Sequence, residues 1–187
     1  MPNTISNRFE GKVALIAGGA HAIETSLMGF AGLAALEIAR GGGKIMIGDI
    51  DDIAGKQSVK NMREAGLTAD YSHLDVTSES DWISVVEKTS SLHGHLDIMI
   101  MAAGINNRGE TIETVTVPKW RQVMDVTNLG MFLGVRSVAP KMRENGGGSI
   151  VLISSMMAKI THNQANAYAT SRAGMTHFAR SAAVQYG

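Results

Sequence analysis

Short apolar runs alternate along the chain with stretches in which apolar residues recur every three or four positions. The runs are Val13-Ala-Leu-Ile-Ala17, Ile45-Met-Ile47, Ile98-Met-Ile-Met101 and Ile150-Val-Leu-Ile153, and each precedes a helical pattern. Continuous apolar strands belong to sheets covered on both faces. Their alternation with helices calls for parallel strands joined by right-handed crossovers. Tyr71 to Leu74 fits a further strand, and the helical patterns span about Ser26–Arg40, Asp52–Ala65, Glu79–His93, Pro118–Asn145 and Asn166–Tyr186. The pattern predicts an α/β fold in three α/β/α layers: a doubly wound, five-stranded parallel sheet whose ligand site lies at the carboxyl ends of the strands. No repeat, linker or low-complexity stretch divides residues 1–187, so a single domain is expected.

Composition narrows the partners. With 44% hydrophobic and 18% charged residues the chain can bury a core, and its formal net charge of zero implies no basic face for nucleic acid or anionic lipid. Small molecules or protein surfaces are the expected partners. The absence of cysteine removes disulfides, thiolate metal sites and cysteine nucleophiles. Met1 to Gly11 lacks the hydrophobic stretch of a signal peptide, and no apolar run has membrane-spanning length. A cytoplasmic protein is the simplest expectation. Six histidines include the pair His93-Gly-His95, but no third ligand stands at metal-site spacing, so they read as surface or loop residues and no metal is expected. Most of the twelve methionines read as core filling, with Met156 and Met157 as candidates for an apolar pocket wall.

The candidate chemistry lies near the end of the chain. Tyr168 and Arg172 stand four apart on one helix, and Ser155 precedes Tyr168 by thirteen residues. A phenol beside a fixed cation ionises more easily, and a nearby hydroxyl can hold a carbonyl oxygen for protonation. Taken alone, a tyrosine and an arginine at this spacing are more often a surface stacking pair. Upstream, Ala17-Gly18-Gly19-Ala20 follows the first strand and leads toward a helix, a turn whose N–H groups could cradle a pyrophosphate. Asp49 ends the second strand, where a carboxylate would accept ribose hydroxyls and repel a 2′-phosphate, favouring NAD over NADP.

The ordered set Gly11-Lys12-Val13-Ala14-Leu15-Ile16, Asp49, His73-Leu-Asp75-Val76, Asp97-Ile98, Ala103-Gly104, Gly148 to Ser155 and Tyr168-x-x-x-Arg172-Ala-Gly174 resembles the short-chain dehydrogenase/reductase family across nearly the whole chain. The resemblance implies a Rossmann-type fold, a nicotinamide cofactor and hydride transfer to or from a carbonyl carbon. It implies that Ser155 orients the substrate oxygen, that Tyr168 gives or takes its proton, and that Asp75 and Val76 lie against adenine. Gly18, Asp49, Ala103 and Gly104, together with Tyr168 and Arg172, become the cofactor-binding positions. Subunit pairing through the helices at 118–145 and 166–186 is the homo-oligomer the resemblance implies.

Departures from the family pattern carry physical meaning. Arg172 stands where the family has the lysine that activates the tyrosine and holds the nicotinamide ribose; the charge remains, but a wide planar fork replaces a compact ammonium. The family asparagine that anchors a proton-relay water falls on Thr127, with Asn128 next. One helical residue is about 100° of rotation, so Asn128 joins the catalytic set only if the helix is locally shifted. In one register of the phosphate turn, Ala22 and Glu24 replace glycines, and the carboxylate would oppose a dinucleotide. In the other, favoured here by the phase of Leu33 to Ala39, a longer loop runs from Gly18 to Gly29 and Ala31 takes the third glycine's place. Met101 and Ala102 stand where the family has paired asparagines. The sequence ends at Gly187 without the family's last strands or substrate loop, so an exposed sheet edge, and a fragment of a longer protein, are expected.

Two readings are open. The first is an NAD-dependent oxidoreductase acting on a small alcohol or ketone through Ser155, Tyr168, Arg172 and Asn128. The second is a non-catalytic or fragmentary member that binds a dinucleotide weakly or only pairs with an intact subunit.

Overall fold

A computed structural model describes residues 7–21, 29–160 and 164–187. Five parallel strands, β1 (Val13–Ala17), β2 (Lys44–Asp49), β3 (Ala69–His73), β4 (Ile98–Met101) and β5 (Ser149–Leu152), form one sheet in the order β3-β2-β1-β4-β5. The chain first winds outward from β1 to β3 and then restarts beside β1 at β4. The reversal of direction opens a crevice between the carboxyl ends of β1 and β4. The expected doubly wound sheet is therefore present. Its third strand runs Ala69–His73 rather than from Tyr71 to Leu74, because the polar Asp70 hides its start and Leu74 lies just beyond its end.

Strand residues alternate between the two faces. Leu15, Ala17, Met46, Met99 and Met101 pack on one side with Trp82, Val85 and Val86 of α3 (Glu79–His93) and with Met131, Leu133 and Val138 of α5 (Gly130–Glu144). Ala14, Ile16, Ile45, Ile47 and Ile100 pack on the other with α1 (Phe30–Arg40) and α2 (Asp52–Glu64). Local chemistry fixes the helix ends: the Asp51 side chain accepts from Ile53 and Ala54 N–H at the start of α2, the Ser78 side chain accepts from Asp81 N–H at the start of α3, and Gly94 closes α3 in the left-handed conformation at φ 90°. At the opposite end of the sheet from the crevice, Asp97 accepts from Val13 N–H at 2.8 Å and pairs with Lys12 at 3.0 Å and His95 at 2.9 Å. Burial opposes the ionised Asp97, but these partners outweigh it and hold its pKa below the ordinary value.

The helix expected over 118–145 is interrupted. It runs as α4 (Val117–Met124), a π-helical turn (Asp125–Leu129) and α5. A π turn inserts one residue into the helical ladder and so shifts the phase of every residue after it. The helix presses close to the strand ends there, since a Cβ on Gly130 would lie 3.0 Å from Val76 Cγ2 and 3.1 Å from Met101 Cε. Helix α6 (Asn166–Tyr186) has the span the pattern predicted and follows β5 and a 3₁₀ turn (Met156–Ala158). The helix expected from Ser26 is described from Phe30 onward; Ser26 lies outside the described residues. Among the described residues seven methionines are core residues, including Met46, Met99, Met101 and Met175 at 0% exposure. His93 corrects the reading of the histidines as surface residues: its side chain is 5% exposed, 3.3 Å from Asp70 but without a hydrogen bond from Nε2. Burial depresses its pKa, with Asp70 acting in the opposite direction.

Candidate active site

Residues from two groups meet at the carboxyl ends of the strands. The first surrounds β1 and β2. Gly18 leaves β1 at φ 86°, and a Cβ there would sit 2.5 Å from the backbone nitrogen of Ala103, so both the conformation and the close approach require glycine. Its N–H reaches Gly48 O at 2.8 Å, and Ala103 N–H reaches Ala17 O at 3.0 Å, which locks the turn between β2 and β4. Asp49 is drawn into the same turn. One carboxylate oxygen accepts from Ala20 N–H at 2.9 Å and the other from Asp51 N–H at 3.1 Å, while the Ser58 hydroxyl holds Ala20 O.

Behind Asp49, the Tyr71 hydroxyl lies 2.6 Å from Asp49 O and 2.7 Å from Asp52 Oδ1, and His73 Nδ1 is 2.8 Å from the same Asp52 oxygen. The hydrogen bonds from Tyr71 and His73 pull the Asp52 pKa down to about 2, and burial together with the Asp52 charge pushes that of Tyr71 upward. Gly29 is the N-cap of α1 with no side-chain cap, and among the described residues nothing lies within 4 Å of where its Cβ would stand. Ala31, the second residue of α1, is buried. Ala22, Ile23 and Glu24 lie outside the described residues. Asp75 accepts from Thr77 N–H and Thr77 Oγ1, and Val76 is 6% exposed within the core, its carbonyl receiving Trp82 Nε1–H at 2.9 Å.

The second group surrounds a cavity of about 400 Å³ beyond β4 and β5, lined among others by Gly104, Ile105, Asn106, Arg108, Ser155, Met156, Met157, Tyr168 and Arg172. Ser155 caps the 3₁₀ turn by accepting from Met157 N–H at 3.2 Å. Met156 is 70% exposed and, with Met157, supplies an apolar wall. Arg172 is 5% exposed, so its pairing with Tyr168 is not a surface contact. Its guanidinium carbon stands 5.0 Å from the Tyr168 ring centroid, Nη1 donates to Ile153 O at 2.8 Å, and a Cβ on Gly104 would collide with Nη2. The cation is thus wedged against a ring face, a carbonyl and a glycine.

The π turn answers the question of phase. Asn128 faces α6 and donates from Nδ2 to Ser171 O at 3.0 Å, beside Arg172, whereas Thr127 is fully buried with its hydroxyl unbonded. The structure therefore brings Ser155, Tyr168 and Arg172 to one cavity and sets Asn128 against the neighbouring turn of α6.

Two contributors escaped sequence reasoning. Asn107, 2% exposed, accepts from Tyr168 N–H at 3.1 Å, and Tyr71 braces Asp49. The paired Asn106 and Asn107 after the Ala103-Gly104 turn were the available signal for the first; the second had none, since Tyr71 reads as an ordinary strand residue.

A family model described as short chain dehydrogenase matches residues 12–187. The chain is 34% identical over 183 residues to 3-alpha-(or 20-beta)-hydroxysteroid dehydrogenase of Mycobacterium tuberculosis, covering 98% of this chain and 66% of the relative. It is 34% identical over 188 residues to the mitochondrial borneol dehydrogenase of Lavandula x intermedia, covering 100% and 68%. The crystal structure of gox2181 superposes with a TM-score of 0.88 at 29% identity, covering 97% of this chain and 69% of that one. The chain thus spans about two thirds of the length of the relatives it matches.

Proposed function

We propose, given that the chain belongs to the short-chain dehydrogenase family, that it is an oxidoreductase interconverting an alcohol and a ketone with NAD as hydride carrier. The observation that carries this reading is the meeting of Ser155 and Tyr168 in one cavity at the carboxyl ends of β4 and β5, next to the Gly18–Ala103 contact. Both similar relatives are named for alcohols carried by ring systems, and the apolar wall of Met156 and Met157 suits a carbocyclic secondary alcohol.

The dinucleotide fits the chain's donor set. The start of α1 at Gly29, which has no side-chain cap, would offer backbone N–H groups to phosphate, Gly18 permits close backbone approach, and Asp49 presents lone pairs to ribose hydroxyls while opposing a 2′-phosphate. Asp75, Val76 and Ala103 border the adenine side in this reading, and Gly104 the nicotinamide side. When bound, the nicotinamide supplies or accepts the hydride. Ser155 holds the substrate oxygen, and the Tyr168 hydroxyl takes the alcohol proton on oxidation or returns it on reduction. Arg172 fixes the Tyr168 ring through its face, and Asn128 supports the adjoining turn of α6. Met156, Met157 and Arg108 border the substrate's body. Absence of cysteine supports a cytoplasmic setting, and among the described residues no helix is long and apolar enough to cross a membrane. Exposed Leu129 and Phe132 support pairing of subunits through α5 and α6.

The test is oxidation of borneol and of a 3α-hydroxysteroid by the full chain with NAD, monitored by absorbance of the reduced cofactor. Tyr168→Phe is expected to lower turnover by about 10²–10⁴-fold with NADH affinity nearly unchanged; equal turnover in the variant sinks the assignment. One observation favours the non-catalytic reading. Arg172 is committed to Ile153 O, Gly104 and the Tyr168 ring, and so is held away from the role the family lysine plays toward ribose. Co-purification with an intact relative and no hydride transfer alone would support it.

A further inference from the structure

The start of α6 lacks a cap of its own. Its N-cap position is Ala165, which makes no side-chain cap hydrogen bond, and the amide of the third helical residue is the one a cap side chain ordinarily receives. That residue is Tyr168. Its N–H donates instead to Oδ1 of Asn107, at 3.1 Å, from sixty-one positions upstream. Asn107 is 2% exposed, and its Nδ2 is buried without a hydrogen-bond partner. A buried amide left half satisfied is costly, so the position calls for a reason beyond filling space.

The reason lies in what the bond joins. Asn107 belongs to the segment after β4 whose neighbours Gly104, Ile105, Asn106 and Arg108 line the cavity, which Tyr168 of α6 also lines. Two further ties hold the same junction: Asn166 Nδ2 donates to Glu110 O at 3.2 Å, and Glu110 and Ala165 form a parallel bridge. We propose that Asn107 is a positioning residue. By capping α6 at the amide of Tyr168, it sets the height of the phenol in the cavity relative to the wall formed by residues 104–108. The consequence for catalysis rests on the reading of Tyr168 as the proton-transferring group. The capping itself does not.

The full chain carrying Asn107→Ala and, separately, Asn107→Asp tests this, because aspartate keeps an acceptor where Oδ1 stands. Amide hydrogen exchange by NMR is expected to be about five- to tenfold faster at Tyr168 in Asn107→Ala, unchanged at Met175 in the middle of α6, and restored in Asn107→Asp. With borneol and NAD, the alanine variant is expected to lose about tenfold in kcat with the borneol KM and NADH affinity within about twofold, and aspartate to recover most of the loss. Unchanged Tyr168 exchange in Asn107→Ala, or a kcat loss that aspartate leaves untouched, would overturn the proposal. Should Asn107→Ala fail to fold, Tyr168 protection in Asn107→Asp decides alone: kept, it supports the cap, and lost, it refutes it. If the unaltered chain turns over nothing, the functional reading fails, and the exchange data still decide the positioning role.

Discussion

The two halves of the strand-end crevice are built on opposite principles. At the β1–β2 end a series of polar groups is tied together across the turn: Gly18 N–H to Gly48 O, Ala20 N–H and Asp51 N–H to the Asp49 carboxylate, Ser58 to Ala20 O, and Tyr71 to Asp49 O. At the β4–β5 end the reverse holds. Among the described residues, Asn107, Glu110, Thr127, Asn128, Asn166 and Arg172 each bury a side-chain nitrogen or oxygen without a partner, six of the eight such atoms in the molecule's described part. Buried polar groups are normally bonded, and exceptions gather where function has outweighed stability. The comparison assigns the tightly bonded turn to the end proposed to hold the cofactor and the unpartnered polar groups to the end proposed to do chemistry.

That contrast can be broken experimentally. Gly18→Ala strikes the knitted end hardest, since the added Cβ meets the Ala103 backbone at 2.5 Å and the residue must keep φ 86°. A loss of about 2–4 kcal/mol is expected in chemical denaturation, together with loss of dinucleotide binding; an unaltered denaturation midpoint would show that the turn yields freely. Thr127→Val tests the other end in the opposite direction. The valine matches the shape and removes a buried, unbonded hydroxyl, so stability is expected to rise by about 1 kcal/mol. Destabilisation of the same size would mean that the hydroxyl has a partner in solution, and the contrast would weaken. Asp49→Ser sharpens the comparison more gently: removing the charge is expected to raise NADPH affinity relative to NADH by roughly tenfold, measured by fluorescence titration, and an unchanged ratio would remove Asp49 from cofactor selection.

Much of the fold was legible because it is written in period. Buried parallel strands are apolar throughout, and the runs at Val13, Ile45, Ile98 and Ile150 found four of them; the start of β3 was missed because the polar Asp70 disguises it. The π turn was not legible. Nothing in Asp125 to Leu129 announces an inserted residue, yet it decides that Asn128 rather than Thr127 reaches α6. Tyr168, Arg172 and Ser155 were found by spacing and come together in one cavity, but spacing could not reveal that Arg172 lies against the ring face, nor that Asn107 caps the helix. Contacts between residues far apart in sequence leave no periodic trace.

The central claim is that this crevice holds a dinucleotide and prefers NAD. Calorimetric titration of the folded chain with NADH and, in parallel, NADPH tests it most directly. Saturable NADH binding at least about tenfold tighter than NADPH is the predicted result. Failure of the folded chain to bind either, or tighter binding of NADPH, would contradict the account.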